Sequence, residues 1–599
     1  MKIIYILYLL FSAFSVKYIQ LILGGIVVND INKLYEQWLS SATADADLIP
    51  ELESVKGDNE AILDRFYKNL EFGTAGLRGV IGAGTNRMNV YTVNQATQGL
   101  ADYLNETFPN PSVAIAYDSR IKSKEFAESA AGVLAANGIK VYIYPELVPT
   151  PMLSFAVRRL ECSSGIIITA SHNPSKYNGF KCYDPNGYQM TDEAAAKTYD
   201  YIQNIDMFSG VKTMSFEDAL ASDMVDFIED WLYEEFYAKV KSCLVNADSI
   251  KKADLKLIYT PLNGAGNKPV RKVLKMAGIT DVTVVKEQEK PDGNFPTCPY
   301  PNPEIHQAFE CAIETAKGTD ADLLLATDPD CDRVGIAVRD GDDYVLMTGN
   351  EVGAMLCEYL LSTLKEQNKL PEKPVVVKSI VTTPLIEAIC KEYGAEVADL
   401  LTGFKYIGEL ITNLEKEGKE DNFVVGMEES YGYLRGIHAR DKDAVVASLM
   451  ICEMAAVYKL RGISLKAFMD SIYEKYGMYL NTVLNFSFEG ASGMQKMADI
   501  MNSLRENAPT YFADKKVVKV ADYKESVIKD TITGESAVIN LPKSNVLSYS
   551  LQDNSKVIVR PSGTEPKIKV YITACGNTRA ESEEKTTLIS DDAKKILGV

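Results

Sequence analysis

The chain has 599 residues, of which 46% are apolar and 24% charged, and carries a formal net charge of −19. At roughly 100–200 residues per domain that length excludes a single core and predicts about three to five domains of ordinary soluble composition. The acidic balance excludes nucleic acid and anionic membrane surfaces as main partners, so an anionic substrate would need a local island of basic residues.

Ten cysteines are scattered without a CxxC pair, which fits reduced thiols and a cytoplasmic location. His172, His306 and His438 are the whole histidine complement, which excludes a histidine-rich metal site.

The apolar run from Met1 to Ser15 resumes after Lys17 and Gln20 and reaches Val28, resembling a signal peptide or anchor. The preferred reading takes residues 1–28 as leader before a start near Val27 or Val28, because everything after Asn29 reads as intracellular. From Asn29 to about Asn69 the pattern is helical, with Leu34, Trp38 and Leu39 on one face. Phe72–Gly79, FGTAGLRG, reads as a glycine-rich turn whose amides can approach an oxyanion, with Arg78 adding fixed charge.

Residues 113–200 alternate strand and helix: strand Val113–Arg120, helix Glu125–Asn137, strand Lys140–Tyr144, then the β-branched run Gly165–Ile168. That last run reads as a buried parallel strand leading into Thr169-Ala-Ser-His-Asn-Pro174, so Ser171 falls just past a strand's carboxyl end, where open α/β sheets hold ligands. A second unit follows, with strands Leu255–Pro261, Asp281–Val285 and Ala321–Thr327 and a helix near Pro269–Ala277. A third has strands Pro374–Lys378, Ala395–Leu401 and Asn422–Gly426 and a helix over Pro384–Tyr393. After about Gly477 the texture changes to short strands, Val517–Val520, Ser536–Asn540 and Lys556–Val559, closed by a helix at Ser582–Ile596. The fold class is therefore α/β, with four domains: three similar mixed α/β sheet domains and a smaller α+β C-terminal domain, arranged around a cleft. The expected boundaries are 29–245, 246–357, 358–477 and 478–599.

Asp328, Asp330 and Asp332, in Thr327-Asp-Pro-Asp-Cys-Asp-Arg333, sit at i, i+2 and i+4 after a strand and can converge on one hard cation, for which magnesium fits best. The glycine and distal glutamate of an EF-hand calcium loop are missing. Arg333 stands ready for phosphoryl oxygens.

TASHNP, DPDCDR, Gly426-Met-Glu-Glu-Ser-Tyr-Gly432 and Arg560-Pro-Ser-Gly-Thr-Glu-Pro566 occur in that order, and together they resemble the α-D-phosphohexomutase superfamily, in its phosphoglucomutase and phosphopentomutase branch. The resemblance runs from about Asn29 to the C-terminus. It implies that Ser171 is carried as phosphoserine and that a bisphosphate intermediate turns over during interconversion of glucose 1-phosphate and glucose 6-phosphate. A phosphopentomutase or phosphomannomutase is the alternative. It further implies one magnesium per chain on Asp328, Asp330, Asp332 and a phosphoserine oxygen of Ser171, with a sugar 1,6-bisphosphate as activator.

Lys181 matches the family's lysine close to the serine and His172 directly follows the nucleophile, either of them for acid–base steps or simply to place charge, and Arg333 belongs to the same catalytic set. Some relatives carry a histidine where Gly432 stands here; Lys442, in Arg440-Asp-Lys-Asp443, resembles another branch's solution. Glu428 and Ser430 would grip sugar hydroxyls, with Thr402 and Gly403 among the substrate-binding residues. Arg560, Ser562, Gly563 and Thr564, backed by Lys567 and Lys569, would cradle the non-reacting phosphate, and Thr74 and Arg78 would complete a basic ring. Expected partners are small sugar phosphates, with no nucleic acid, no stable membrane association, and a monomeric or homodimeric state.

Overall fold

The structure, a computed structural model, describes residues 30–73, 76–488, 493–562 and 567–598. The leader at 1–28 and the candidate residues Thr74, Gly563 and Thr564 lie outside the described residues. Two compact units emerge: one holds the chain up to Leu147 with Cys162–Asp184 and Gln189–Ile228, the other Val148–Glu161, Pro185–Tyr188 and the chain from Glu229 onward.

The first unit is built on a six-stranded sheet in the order Gly76–Val80, Tyr177–Tyr183, Ser164–Ile168, Ser112–Tyr117, Lys140–Ile143, Val225–Phe227. Ser164–Ile168 is buried along its whole length and pairs in parallel with Ser112–Tyr117, which is why it reads as an unbroken apolar run. Helices Val90–Thr107 and Ser123–Ala136 bury Leu100, Leu104, Phe126 and Leu134 in the same core as Ile166 and Ile168. The N-terminal helical stretch divides into helices over 30–41, Leu48–Ser54 and Asn59–Phe66, the last capped by Asp58. They close around the fully buried Trp38, whose ring meets Phe66, Tyr91 and Phe208 edge-on. Leu34 and Leu39 flank that buried face.

Within the glycine-rich stretch at 72–79 the Gly73 amide donates to the Gly76 carbonyl at 2.9 Å, and a strand begins at Gly76. Gly76–Val80 runs antiparallel to Tyr177–Tyr183, with Arg78 opposite Gly179. A Cβ on Gly76 would stand 1.9 Å from the carbonyl oxygen of Phe180, so this glycine serves close strand approach.

In the second unit, one five-stranded sheet orders Asp343–Met347, Val334–Asp340, Leu323–Thr327, Leu257–Thr260 and Val282–Val284. A four-stranded sheet orders Glu396–Leu400, Val375–Ser379, Phe423–Glu428 and Gly432–Leu434. The C-terminal part is an eight-stranded antiparallel sheet whose core includes Tyr549, Val557 and Ile572, covered by helices Gly493–Glu506 and Arg579–Leu597. The three sheet domains and the antiparallel C-terminal domain are thus the four-domain α/β architecture expected from the alternation of elements. Among the described residues, no helix is long and apolar enough to cross a membrane.

Candidate active site

In the first unit, Ser171 follows the strand Ser164–Ile168 and adopts φ 53°, the left-handed region that side chains avoid. Its amide donates to Thr169 Oγ1 at 2.8 Å, and its hydroxyl oxygen lies 3.2 Å from His172 Nδ1. The turn is fastened from below. Arg120 donates to the carbonyls of Ser171 and Asn173, and at 3.0 Å to those of Pro174 and Tyr177. Asp118 orients Arg120 by an ion pair at 3.3 Å and accepts from Thr169 Oγ1 at 2.6 Å. Lys181 lies on the strand that leaves this loop, opposite Gly76, and Arg78 is exposed on the neighbouring edge strand.

In the second unit, Asp328, Asp330 and Asp332 are at most 2% exposed, and each offers a carboxylate oxygen within 4.8 Å of the others. The loop that gathers them turns at Cys331, φ 49°, and the amides of Asp332 and Arg333 donate to Asp328 Oδ1 at 3.1 and 3.0 Å. Thr150 opens the helix Thr150–Arg159 and donates through Oγ1 to Asp330 Oδ2 at 3.1 Å and through its amide to the Asp330 carbonyl at 2.9 Å. Burial, then the charges of Asp330 and Asp332, push the Asp328 carboxyl well above its usual range. Three buried carboxylates this close repel one another, and an all-oxygen donor set without sulfur or imidazole suits a hard divalent cation.

Two basic residues face this triad. Arg333 donates to Glu304 at 2.8 Å, stands 3.7 Å from Asp332, and bridges its backbone to Gly432. Lys442 places Nζ 3.2 Å from Asp332 and 3.1 Å from Asp441. Burial works against the charge of Lys442, but Asp332, Asp441 and Glu428 outweigh it and hold the ammonium above the ordinary lysine range. A Cβ on Gly432 would stand 2.2 Å from Lys442 Cδ, so a side chain at 432 and this placement of Lys442 exclude each other.

Glu428 ends the strand Phe423–Glu428 and accepts from the amide of Gly403 at 2.8 Å, which ties it to the head of the helix Phe404–Lys416. The Glu-Glu-Ser segment does not cap a helix; Ser430, half-buried, lies in the turn to strand Gly432–Leu434, and Thr402 is half-buried beside Gly403. Glu429 accepts from Ser379 Oγ at 3.0 Å, and burial, then Glu428, raises its carboxyl. Arg560 stands on the strand Lys556–Pro561 in register with Lys569, and the Ser562 amide donates to the Lys567 carbonyl at 2.7 Å. Burial lowers Lys569, while the charges of Glu304 and Glu429 act on it in the opposite direction. Within this unit the aspartate loop, the Glu428 turn and the Arg560 strand therefore share one electrostatic neighbourhood.

Sequence reasoning missed Asp118, Arg120 and Thr150. The available signal for the first two was a buried strand ending on Asp-Ser-Arg, beside the serine's own strand.

Four consecutive family models match the chain: phosphoglucomutase/phosphomannomutase α/β/α domain I at residues 69–208, domain II at 234–341, domain III at 348–476, and the C-terminal domain at 502–588. A phosphoglucomutase of Staphylococcus saprophyticus is 37% identical over 527 residues, covering 86% of this chain and 94% of the relative. One of Staphylococcus epidermidis is 35% identical over 530 residues, with the same coverages of 86% and 94%. Among solved structures, parafusin, an exocytosis-sensitive phosphoprotein and phosphoglucomutase of Paramecium, superposes in its open form with a TM-score of 0.67 at 18% identity, covering 89% of this chain and 96% of its own, a likeness of fold. The chain belongs to the phosphoglucomutase/phosphomannomutase family of the α-D-phosphohexomutase superfamily.

Proposed function

We propose that this chain is a phosphosugar mutase interconverting glucose 1-phosphate and glucose 6-phosphate, with Ser171 as phosphoryl carrier and a bisphosphate intermediate. Relatives named phosphoglucomutase at 37% and 35% identity support the reaction class. The observation that carries the reading is the buried triad Asp328, Asp330 and Asp332, whose mutual repulsion calls for a divalent cation.

In the first half-reaction the sugar's free hydroxyl attacks phosphorus as the bond to Ser171 Oγ breaks; the hydroxyl gives up its proton and the departing serine oxygen takes one up, giving the bisphosphate. In the second, Ser171 Oγ attacks the other phosphate as its bond to the sugar oxygen breaks; the departing sugar oxygen takes up a proton, and the serine proton must leave. With the serine unesterified, Oγ lies 3.2 Å from His172 Nδ1, and we assign that proton to His172. Lys442, held charged, places positive charge, as does Arg333; Lys181 is the second candidate for acid–base work. Asp328, Asp330 and Asp332 would hold magnesium, which supplies charge neutralisation on the transferring group when bound. Glu428 and Ser430, with Thr402 and Gly403, would orient the sugar, while Arg560 and Ser562 hold its resting phosphate and Arg78 adds charge.

The test is turnover of glucose 1-phosphate against ribose 1-phosphate, with magnesium and a trace of glucose 1,6-bisphosphate, in the wild type and in Ser171→Ala. We expect the hexose to be preferred and the variant to be inactive. Preference for the pentose would move the reading to a phosphopentomutase, and an active variant would contradict the mechanism.

A further inference from the structure

Within the second unit, a cavity of about 290 Å³ is lined by Lys239, Cys243, Arg435, Gly436 and His438, none of which takes part in the chemistry proposed above. Cys243 follows the helix Asp230–Ser242, with Sγ 3.3 Å from the Arg435 carbonyl oxygen and 3.5 Å from that of Lys239. Gly436, at φ 83°, leaves room for the sulfur: a Cβ there would stand 2.6 Å from Cys243 Sγ and 3.1 Å from His438 Nδ1. The thiol and one ring nitrogen therefore face the same small space.

The other ring nitrogen is committed. His438 Nε2 lies 2.7 Å from Asp443 Oδ2, and the second oxygen of Asp443 accepts from the amides of Val445 and Val446 at 2.8 and 3.0 Å. Asp443 is thus fixed as the cap of helix Ala444–Leu460, and it orients the imidazole with Nδ1 toward Cys243. Phe236 packs against the ring at 5.6 Å. Burial works against charge on His438, but Asp443 and Cys243 outweigh it and lift the imidazole to about 9. The other charges facing the cavity are Lys239, Arg435, Glu420 and Asp421.

We propose that Cys243 is a nucleophilic, modifiable thiol activated by the His438–Asp443 pair, and that its cavity admits a small hydroperoxide. The imidazolium already carries its Nδ1 proton, so the thiol gives its own proton to solvent, leaving thiolate beside imidazolium. The sulfur attacks a peroxide oxygen; the S–O bond forms as the O–O bond breaks, and the departing oxygen takes the Nδ1 proton. Sulfur is oxidised to a sulfenic acid, and the hydroperoxide is reduced to water or an alcohol. Replacing His438 isolates the imidazolium's share.

The test uses the full chain, a limiting amount of iodoacetamide, and peptide mass mapping of every cysteine. Cys311 and Cys575 are the internal standards because they are more exposed than Cys243. We expect Cys243 to be alkylated at least about tenfold faster than either standard, at a rate nearly flat from about pH 6 to about pH 8, whereas an ordinary thiol climbs about tenfold per unit there. His438→Gln should slow Cys243 by about tenfold and restore the climb, leaving Cys311 and Cys575 unchanged. If that variant unfolds, seen as labelling of the buried Cys182 and Cys452, the wild-type pH profile decides alone. Alkylation of Cys243 no faster than the standards, or climbing with pH as an ordinary thiol does, would overturn the activation. After hydrogen peroxide, a 1,3-diketone trap should tag Cys243 first; a trap that leaves Cys243 untagged would overturn the choice of hydroperoxide.

Discussion

Nε of Arg120 stands 3.3 Å from Oδ2 of Asp118, and both side chains are fully shielded from solvent. The remaining guanidinium nitrogens are spent on the carbonyls of the turn that holds Ser171 in its left-handed conformation. Arg120→Met would leave a buried carboxylate without its cation, which costs about 3–5 kcal/mol of stability. It would also release the serine turn, so kcat should fall with KM little changed. Arg120→Lys should rescue poorly, because one ammonium cannot match a planar fork across four carbonyls. Urea unfolding and steady-state kinetics on both variants check this.

Gly432 and Lys442 compete for one volume. Gly432→Ala would drive a methyl to within 2.2 Å of Lys442 Cδ and 2.6 Å of its Cγ, so the buried lysine must leave its place between Asp332 and Asp441. The expected outcome is a stability loss of about 3–5 kcal/mol, as the buried Asp332 loses its cation, with a kcat loss of about tenfold or more. Thermal unfolding measured beside kcat separates the two effects.

Chelation should abolish turnover, and magnesium should restore it. Because three buried carboxylates repel one another in the metal-free chain, magnesium at about a hundred times its Kd should add about 2.7 kcal/mol of stability. Asp330→Asn should remove most of that increment while making the metal-free protein no less stable. Thermal melts with and without magnesium read both.

His438 gives stability a pH dependence. Its pKa is raised from the ordinary 6.5 to about 9 in the folded chain, so the stabilisation is fully present below pH 6.5 and lost as pH rises through about 9. The span corresponds to something on the order of 3 kcal/mol. The urea midpoint of the wild type should therefore exceed that of His438→Gln by most at about pH 6, with the gap closing at about pH 10.

Much of the fold was legible because buried strands write themselves as unbroken apolar runs: Ile166–Ile168, Val375–Val377 and Leu323–Leu325 all stand where the alternation placed them. The strand Tyr177–Tyr183 was not legible, since Asn178 and Lys181 break its apolar pattern. The strand role of Gly76 was not legible because its reason, the carbonyl of Phe180, comes from a strand about a hundred residues later. The candidate site divides the same way. Asp328, Asp330 and Asp332 are gathered by a loop of five residues and can be read locally, whereas Arg120 serves Ser171 from 51 residues away and Thr150 serves Asp330 from 180. Gly432 became intelligible only once Lys442 was found in its space.

In the proposed reaction Ser171 carries the phosphoryl group. Incubation with glucose 1,6-bisphosphate and magnesium, followed by intact-protein mass and peptide mapping, should find one phosphoryl group per chain on Ser171, and adding glucose 6-phosphate should remove it. A phosphoryl group that maps to another residue, or one on Ser171 that the sugar phosphate cannot discharge, would contradict the account.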